Sequence, residues 1–577
     1  MKKFLLLLII LTSCSSEKNK SNFDFTTTFE KSQGTETASY KEVIQYYSQL
    51  AEEFPEISIQ AIGETDSGKP LHIVTLNYGK SFNFSEIRKN KRIILINNGI
   101  HPGESDGIDA TMLLFRDIAQ QKIKAPQNTV LVTIPIYNIG GSLNRNTTTR
   151  TNQNGPKEYG FRGNARNYDL NRDFIKSDTK NARTFAQIFH LVQPDVFIDN
   201  HVSNGADYQY TLTHLFTQHN KLGGDLGNYL HSEMMPKLEE KLATKNWDIT
   251  PYVNVFNKVP EAGFSQFMDS PRYSTGYTTL FNTLGMMVET HMLKPYKQRV
   301  EGTYELMKSM LEITEADSDK IKTLRKNHNQ KLLKNKTYPL NWIVDTTKVS
   351  TLNFKGFEGK KIPSEITNNE RLKFDRSKPF TKEVRYQNYF KPTDSVRIPS
   401  AYVIPQGWWH VIELLKVNHV AIVPLKKDTT LQVESYKVDK FETRKSPYEG
   451  HYQHYNTTVK SSIEKVSFKK GDIIIHTNQI ALRYVLETLE PQAPDSFFNW
   501  NFFDTILQQK EGFSPYVWED KAKELLMKNP KLQIAFNTKK TFDKEFANNW
   551  YAQLDWLHKQ SENYEKAHLQ YPVYKLK

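Results

Sequence analysis

Cysteine is nearly absent from this sequence, because Cys14 is the only one among 577 residues. A disulfide bond within the chain is therefore excluded. Cys14 follows Leu11-Thr12-Ser13 and an apolar run from Phe4 to Leu11, which two lysines precede. That run is much shorter than the roughly 20 apolar residues that a helix needs to cross a bilayer, and it is typical of a signal-peptide core. We predict a lipoprotein signal peptide and lipobox in residues 1–14, with Cys14 as the lipidated residue.

The residues directly after Cys14 are mostly polar. We predict a tether over residues 15–35, so that the attached lipid is the only contact with a membrane. Ser15 after the cysteine resembles the outer-membrane sorting signal of Gram-negative bacteria. These features predict an exported protein that is anchored to the bacterial cell envelope, at the outer membrane, on its periplasmic or surface face.

Charge of one sign is not concentrated anywhere in the chain. The 77 Lys and Arg residues exceed the 64 Asp and Glu residues to give a formal net charge of +13, but both kinds are spread along the sequence. No motif combines aromatic and basic residues as nucleic-acid-binding modules do, so we predict no nucleic-acid partner. The excess positive charge is interpreted as a solvated surface that favours carboxylate-bearing substrates.

A chain of this length exceeds what one hydrophobic core usually supports, and no fixed-period repeat is visible. Apolar runs alternate with amphipathic helical patterns up to about residue 317. This alternation is typical of an α/β domain with a mostly parallel, mixed sheet and helices on both faces. We predict that domain over residues 36–317, a linker or helical extension over 318–338, and a smaller α+β or β-sandwich-like domain over 339–577.

The first candidate for chemistry is His101-Pro102-Gly103-Glu104. The spacing alone is weak evidence, since roughly one His-x-x-Glu pair is expected by chance in such a composition. His410-x-x-Glu413 has the same spacing within an amphipathic helix, where a packing role is the simpler interpretation. The first pair instead follows a predicted buried strand and precedes a helix. Open α/β sheets bind their ligands at such strand ends.

A catalytic zinc ion needs three protein ligands and one open position. His201 is the best third candidate, because it also ends a predicted buried strand, Asp195-Val196-Phe197-Ile198-Asp199-Asn200-His201. Taken alone, His201 is more simply interpreted as a hydrogen-bonded core histidine, but together with His101 and Glu104 it is better interpreted as a metal ligand. Glu289 stands in another apolar strand, Met287-Val288-Glu289-Thr290-His291, where a carboxylate is costly without a role or a partner.

These residues carry a resemblance to a known family. His101-x-x-Glu104, Asp169-x-Asn171-Arg172, His201 and Glu289 follow one another in the order typical of the zinc metallocarboxypeptidases, represented by carboxypeptidase A. The resemblance covers roughly residues 40–310. It implies an enzyme with one catalytic Zn²⁺ ion, whose substrates are peptides with a free C-terminal carboxylate.

The resemblance also implies a role for each matching residue. The metal ligands are His101, Glu104 and His201, and Glu289 is the general base. Asp169 orients His101, Arg150 stabilises the oxyanion, and Asn171 and Arg172 bind the terminal carboxylate of the substrate. Tyr273 and Tyr277 are the candidates for the family's mobile, substrate-binding tyrosine.

The sequence departs from the family pattern in places that concern specificity. Gly103 stands where a basic residue is common, the usual aromatic beside Arg150 is missing, and Asp207-Tyr208-Gln209-Tyr210 is unusual after His201. Two alternatives to a carboxypeptidase therefore stay open. One is a zinc amidase or deacylase that acts on N-acyl amino acids, and the other is a non-catalytic binding lipoprotein.

Overall fold

The computed structural model describes residues 23–577. The predicted signal peptide, the lipobox and Cys14 lie outside the described residues, and lipidation and envelope localisation stay predictions. Within residues 23–577, no helix combines the length and the apolar character that a bilayer crossing requires.

The first half of the chain forms a twisted, mixed sheet of eight strands. The strands as far as residue 291 are β1 (Ile57–Glu64), β2 (Pro70–Leu76), β3 (Arg92–Asn97), β4 (Thr129–Ile134), β5 (Val196–Ser203), β6 (Leu212–Phe216), β7 (Ile249–Pro251), β8 (Phe264–Ser265) and β9 (Leu284–His291). The order in the sheet is β1-β2-β4-β3-β5-β9-β6-β7, with β8 paired elsewhere. Strands β4, β3, β5 and β9 run parallel to one another, as do β6 and β7. The predicted α/β fold with a mostly parallel, mixed sheet is confirmed.

Helices cover both faces of this sheet. They are α1 (Thr28–Lys31), α2 (Tyr40–Glu53), α3 (Phe84–Asn90), α4 (Asp106–Ala119), α5 (Ile139–Leu143), α6 (Lys180–Val192), α7 (His219–Leu222), α8 (Gly224–Tyr229), α9 (Met235–Ala243), α10 (Ser274–Thr279), α11 (Tyr296–Ala316) and α12 (Ser318–Leu332). A π-helical turn, Leu230–Met234, joins α8 to α9. Helix α12 occupies most of the segment that was predicted as a linker or helical extension.

The alternation of strand side chains explains the two cores. All six residues of β3 are buried. Ile93 and Leu95 pack into one hydrophobic cluster, and Ile94 and Ile96 pack into the other on the opposite face. A strand that is buried on both faces reads as a continuous apolar run, because neither face needs polar side chains.

The second half of the chain is rich in antiparallel strands. They are β10 (Thr337–Val344), β11 (Ser350–Pro363), β12 (Glu370–Gln387), β13 (Phe390–Arg397), β14 (Ala401–Ile404), β15 (Val423–Pro424), β16 (Thr429–Thr443), β17 (His454–Phe468), β18 (Ile473–His476) and β19 (Tyr574–Leu576). The helices are α13 (Trp409–Val417), α14 (Leu482–Leu489), α15 (Pro515–Lys528), α16 (Pro530–Phe542), α17 (Lys544–Ala547) and α18 (Trp550–Lys559). Six strands form one sheet in the order β15-β18-β14-β19-β16-β17. The predicted α+β character is confirmed, although the domain boundaries stay predictions.

The two halves share a hydrophobic core. The cluster on the α6 face of the first sheet contains Phe185 and Tyr277 together with Tyr402, Tyr484 and Phe497 of the second half. Strand β12 also pairs with β8, so that a hairpin of the second half continues into the first. The C-terminal region is therefore packed against the α/β sheet rather than tethered to it.

Three neighbouring parallel strands set the position of the candidate site. Strands β3, β5 and β9 are adjacent, so that their carboxyl ends lie at one edge of the sheet. The loop after β3 carries His101 and Glu104, while His201 and Glu289 are paired residues in the register of β5 and β9. Parallel pairing thus brings residues that are far apart in the sequence to one place.

Candidate metal centre

The structure brings His101, Glu104 and His201 together. One potential ligand atom from each lies within 4.8 Å of the others, and this is the group of potential metal ligands found among residues 23–577. The Nδ1 atom of His101 lies 3.2 Å from Oε1 of Glu104, and Nδ1 of His201 lies 3.0 Å from Oε2. All three side chains are buried. Two imidazoles and one carboxylate form the ligand set that suits a catalytic zinc ion.

A carboxylate orients each histidine. Asp169 Oδ1 accepts a hydrogen bond from Nε2 of His101 at 2.8 Å, and Asp199 Oδ2 accepts one from Nε2 of His201 at 2.9 Å. This arrangement places the proton on Nε2 and leaves the lone pair of Nδ1 directed towards the other ligands. Although burial opposes it, the Asp199 and Glu104 carboxylates raise the pKa of His201 well above its usual value. The carboxylates of Asp199 and Glu104 therefore favour a positive charge at the His201 imidazole.

The polar atoms of the site fit a metal ion. Nδ1 of His101 is buried and makes no hydrogen bond. A buried polar atom without a partner is rare in folded proteins and calls for an explanation such as a bound ion. A zinc ion held by His101, Glu104 and His201 would use this nitrogen and would neutralise the buried Glu104 carboxylate.

Glu289 and the three ligands line one cavity of about 470 Å³. Every other residue of β9 is buried, whereas Glu289 is partly open. The poorly hydrated surroundings raise the pKa of Glu289 to about 8, and the Glu104 and Asp199 carboxylates add to this effect against the opposing charge of His201. A carboxylate that faces a metal site in a cleft, with a raised pKa, has the properties of a general base.

Arginines line the same cavity. Arg150 Nη1 lies 2.8 Å from Oε1 of Glu104, and Arg162 Nη1 lies 3.6 Å from the same atom. Arg172 Nη1 lies 3.9 Å from Oδ2 of Asp169, and Arg162 Nε donates to that oxygen at 3.0 Å. The cavity therefore holds three guanidinium groups, which suits a substrate with negative charge.

Gly103 explains how Arg150 reaches the metal ligands. A Cβ atom at position 103 would lie 2.5 Å from Nε of Arg150. The absence of a side chain at Gly103, which departs from the family pattern, makes room for the Arg150 guanidinium beside Glu104.

The two tyrosine candidates lie in different environments. Tyr273 lines the cavity, and its ring faces the Arg172 guanidinium at 4.5 Å. Tyr277 is fully buried among aromatic side chains, and its hydroxyl donates to Asn418 at 2.7 Å. Helix α10 turns Tyr277 into the core, so the structure does not place it with the substrate-binding residues.

Asn171 lines the cavity beside Arg172, and its amide oxygen accepts a hydrogen bond from the backbone N–H of Ser274.

Sequence reasoning did not select Asp199 or Arg162. Asp199 stands two residues before His201 on β5, and alternate residues of a strand share a face, so the Asp-x-His spacing was a usable signal. Arg162 lies in the long loop between α5 and α6. The path of an irregular loop depends on tertiary contacts, and no local pattern pointed to Arg162.

Similarity to known proteins agrees with this geometry. Residues 43–196 match the family model described as zinc carboxypeptidase. This segment of the chain is therefore similar to a zinc carboxypeptidase domain. The matched segment includes His101, Glu104, Arg150 and Arg172, but it ends before His201 and Glu289. The parallel pairing of β5 and β9 places these last two residues beside the matched segment.

The chain also resembles curated proteins called carboxypeptidase 2. It is 22% identical over 430 residues to the one from Trichophyton rubrum, covering 70% of this chain and 72% of the relative. It is 22% identical over 460 residues to the one from Trichophyton equinum, covering 75% and 78%. The predictions of a metallocarboxypeptidase and of zinc as its metal are confirmed at the level of the family.

Solved structures similar to this one include two carboxypeptidases. A metallo-carboxypeptidase from Burkholderia cenocepacia has 15% identity and a TM-score of 0.37, with 49% of this chain and 70% of that chain covered. Carboxypeptidase A from Helicoverpa armigera has 14% identity and a TM-score of 0.38, with 49% and 74% covered.

Proposed function

We propose that this protein is a zinc-dependent carboxypeptidase that removes residues from the C-terminus of peptides. The observation that carries the proposal is a single cavity lined by the His101, Glu104 and His201 ligand set, by Glu289 and by Arg172. Zinc-dependent hydrolysis of a terminal peptide bond uses all three functions: a metal site, a base and a group that recognises the free carboxylate.

Each residue has a definite part in this mechanism. Arg172, with Asn171 beside it, binds the terminal carboxylate of the peptide and so places the last peptide bond in the cleft. A bound zinc ion supplies Lewis acidity, which polarises the scissile carbonyl and makes water more acidic. Glu289 accepts a proton from the attacking water and delivers it to the leaving amine. Arg150 lies where negative charge develops on the carbonyl oxygen and stabilises it.

A substrate panel with and without a chelator tests this proposal. Free-acid peptides, the same peptides with amidated C-termini, and N-acyl amino acids are offered to the purified protein. We expect free-acid peptides to be shortened from the C-terminus, and we expect a chelator to abolish the activity and added Zn²⁺ to restore it. Exclusive hydrolysis of N-acyl amino acids would instead identify an amidase. Binding without turnover of any substrate would identify a non-catalytic protein.

Substitution of Arg172 by lysine should impair recognition of the terminal carboxylate. Lysine keeps the charge but cannot form two parallel hydrogen bonds to a carboxylate. We expect KM for a free-acid peptide to rise by about 10- to 100-fold, since hydrogen bonds to charged groups contribute about 1.5–3 kcal/mol.

The matched control for Arg172→Lys is Arg166→Lys. Arg166 belongs to the same loop, but it is exposed and stacks on Tyr168 outside the cavity. The control should keep the wild-type KM. An unchanged KM in Arg172→Lys would show that another residue binds the carboxylate.

A further inference from the structure

The turn between β16 and β17 reaches from the C-terminal region to the loop that carries Asp169. We call this turn, residues 444–453, the hairpin loop. Glu449 Oε2 accepts a hydrogen bond from the backbone N–H of Asp169 at 2.9 Å. A Cβ atom at Gly450 would lie 2.6 Å from the Tyr168 hydroxyl, so the hairpin loop is in close contact with the segment around Asp169.

Glu449 has a backbone conformation that is unfavourable for its residue type. Tyr448 and His451 exchange two backbone hydrogen bonds, at 2.8 and 3.1 Å, across a two-residue turn of Glu449 and Gly450. Both turn residues have a positive φ, +49° and +80°. Turns of this kind favour Asn, Asp or Gly at the first position. A glutamate there is strained, and a protein retains such strain where its surroundings or its function require the residue.

The length of the Glu449 side chain supplies a reason for this choice of residue. Asparagine and aspartate suit the turn better, but each is shorter than glutamate by one methylene group. Shortening the side chain would withdraw the acceptor oxygen by about 1.5 Å. The 2.9 Å hydrogen bond to Asp169 would then exceed the distance at which a hydrogen bond forms. Glutamate therefore keeps a contact that the residues preferred by the turn cannot make.

The C-terminal region holds the hairpin loop in place on both sides of Glu449. The Tyr448 ring stacks on the ring of Trp500, with centroids 6.1 Å apart and planes 16° apart. Trp500 is fully buried. On the other side of the turn, Nε2 of His451 lies 2.7 Å from Oδ2 of Asp178. The carboxylate of Glu449 is thus presented to Asp169 from a fixed support.

Asp169 connects this support with the metal ligands. Its Oδ1 accepts a hydrogen bond from Nε2 of His101 at 2.8 Å and one from the backbone N–H of Asn171 at 2.9 Å. Its Oδ2 accepts a hydrogen bond from Nε of Arg162 at 3.0 Å. Asp169 is also the residue that caps the short helical turn Leu170–Arg172. The backbone of Asp169 therefore sets the point from which its carboxylate reaches His101.

We propose that Glu449 is a positioning residue, which holds Asp169 so that its carboxylate keeps His101 oriented for zinc. Glu449 is not among the residues that line the cavity, so it acts through Asp169 and not on the substrate. The C-terminal region completes the surroundings of the metal site through this contact. The inference rests on the zinc site of the proposed function, in which His101 is a ligand.

Glu449→Asn tests the inference, because asparagine suits the turn but cannot reach Asp169. Substitution of the direct partner of a metal-bound histidine lowers metal affinity by about 10- to 100-fold. Glu449 lies one contact further from the metal, so we expect the Kd for Zn²⁺ to rise by about fivefold. Competition with a chromophoric chelator measures this Kd without any need for turnover. The unfolding midpoint of the zinc-free variant should not fall, because asparagine tolerates a positive φ.

Two further variants separate the hydrogen bond from other effects. Glu449→Gln keeps the length of the side chain and an acceptor oxygen, so it should recover most of the wild-type affinity for Zn²⁺. Glu442→Asn is the matched control, since Glu442 is an exposed residue of β16 that accepts a hydrogen bond from Asn456 at 2.8 Å. This control should keep the wild-type Kd. An unchanged Kd in Glu449→Asn, or an equal rise in Glu442→Asn, would overturn the inference. A lower zinc-free midpoint with an unchanged Kd would identify a merely structural role.

The same measurements separate this inference from the proposed function. A wild-type protein that binds one zinc ion per chain but hydrolyses no peptide would refute the carboxypeptidase proposal alone. Hydrolysis by the wild type, together with equal zinc affinity in Glu449→Asn, would refute the role of Glu449 alone. Absence of stoichiometric zinc binding by the wild type would refute the metal site on which both depend.

Discussion

Glu289→Gln is expected to lower kcat by about 100- to 10,000-fold, the range found when a general base is removed. Glutamine has nearly the same shape, but its amide cannot accept the proton of the attacking water. The three metal ligands are unchanged, so the zinc content measured on the purified variant should equal that of the wild type. Hydrolysis of a free-acid peptide, followed under saturating conditions, gives the change in kcat.

The pH dependence of the wild type should report the same residue. Only the carboxylate form of Glu289 accepts a proton, so kcat/KM should rise with pH through the pKa of Glu289. In the metal-free protein, burial raises that pKa to about 8. The positive charge of a bound zinc ion favours the carboxylate and shifts the pKa downwards. The residual activity of Glu289→Gln should lack this acidic limb.

Glu301→Gln is the matched control for this substitution. Glu301 lies on α11, and its side chain is 48% exposed. This variant should keep the wild-type kcat and the wild-type pH profile. Turnover by Glu289→Gln at the rate of Glu301→Gln would remove Glu289 from the mechanism.

The central strands were predictable because their environment is simple. Runs such as Ile93–Ile96 are buried on both faces of the sheet, so their apolar character is uninterrupted. The hairpin of β11 and β12 was not predicted from the sequence. Its strands alternate between exposed and partly buried positions, and most residues of β12 face solvent. A strand that packs only in part carries many lysines and glutamates, and local propensity then gives little indication of its ends.

The residues of the candidate site were likewise predictable where they lie on or directly after buried strands. His101, Glu104, His201 and Glu289 follow or belong to buried strands, and the sheet topology brings such strand ends together. Glu449 approaches the site from 280 residues beyond Asp169 in the sequence, through packing of the C-terminal region. Contacts between distant irregular segments depend on how whole domains pack, which no short pattern encodes. Tyr277 was predicted to bind substrate, but the structure buries it in the core. It lies on α10, a helix of only six residues, and the sequence did not indicate which face of so short a helix would point to the cavity.

Removal of a metal ligand should abolish zinc binding as well as turnover. His201→Gln is expected to lose stoichiometric zinc and to lower activity by more than about 1,000-fold. Substitution of outer partners of metal ligands already costs 10- to 100-fold, and a direct ligand contributes more. Glutamine can still donate a hydrogen bond to Asp199, so that buried carboxylate keeps a partner. Zinc per chain, measured by elemental analysis, reads the loss directly.

Thermal unfolding supplies a second measurement that does not depend on turnover. A ligand that binds only the folded state stabilises it, by about 2.7 kcal/mol at a free concentration of 100 times its Kd. Added zinc should therefore raise the unfolding midpoint of the wild type and leave that of His201→Gln unchanged. His214→Gln is the control, since His214 is equally buried on β6 but pairs with Glu239 at 2.8 Å, away from the cavity. The proposal would be contradicted if His201→Gln bound one zinc ion and its thermal unfolding midpoint still rose with added zinc. The metal would then be held elsewhere, and Glu289 would have no metal-bound water to activate in this cleft.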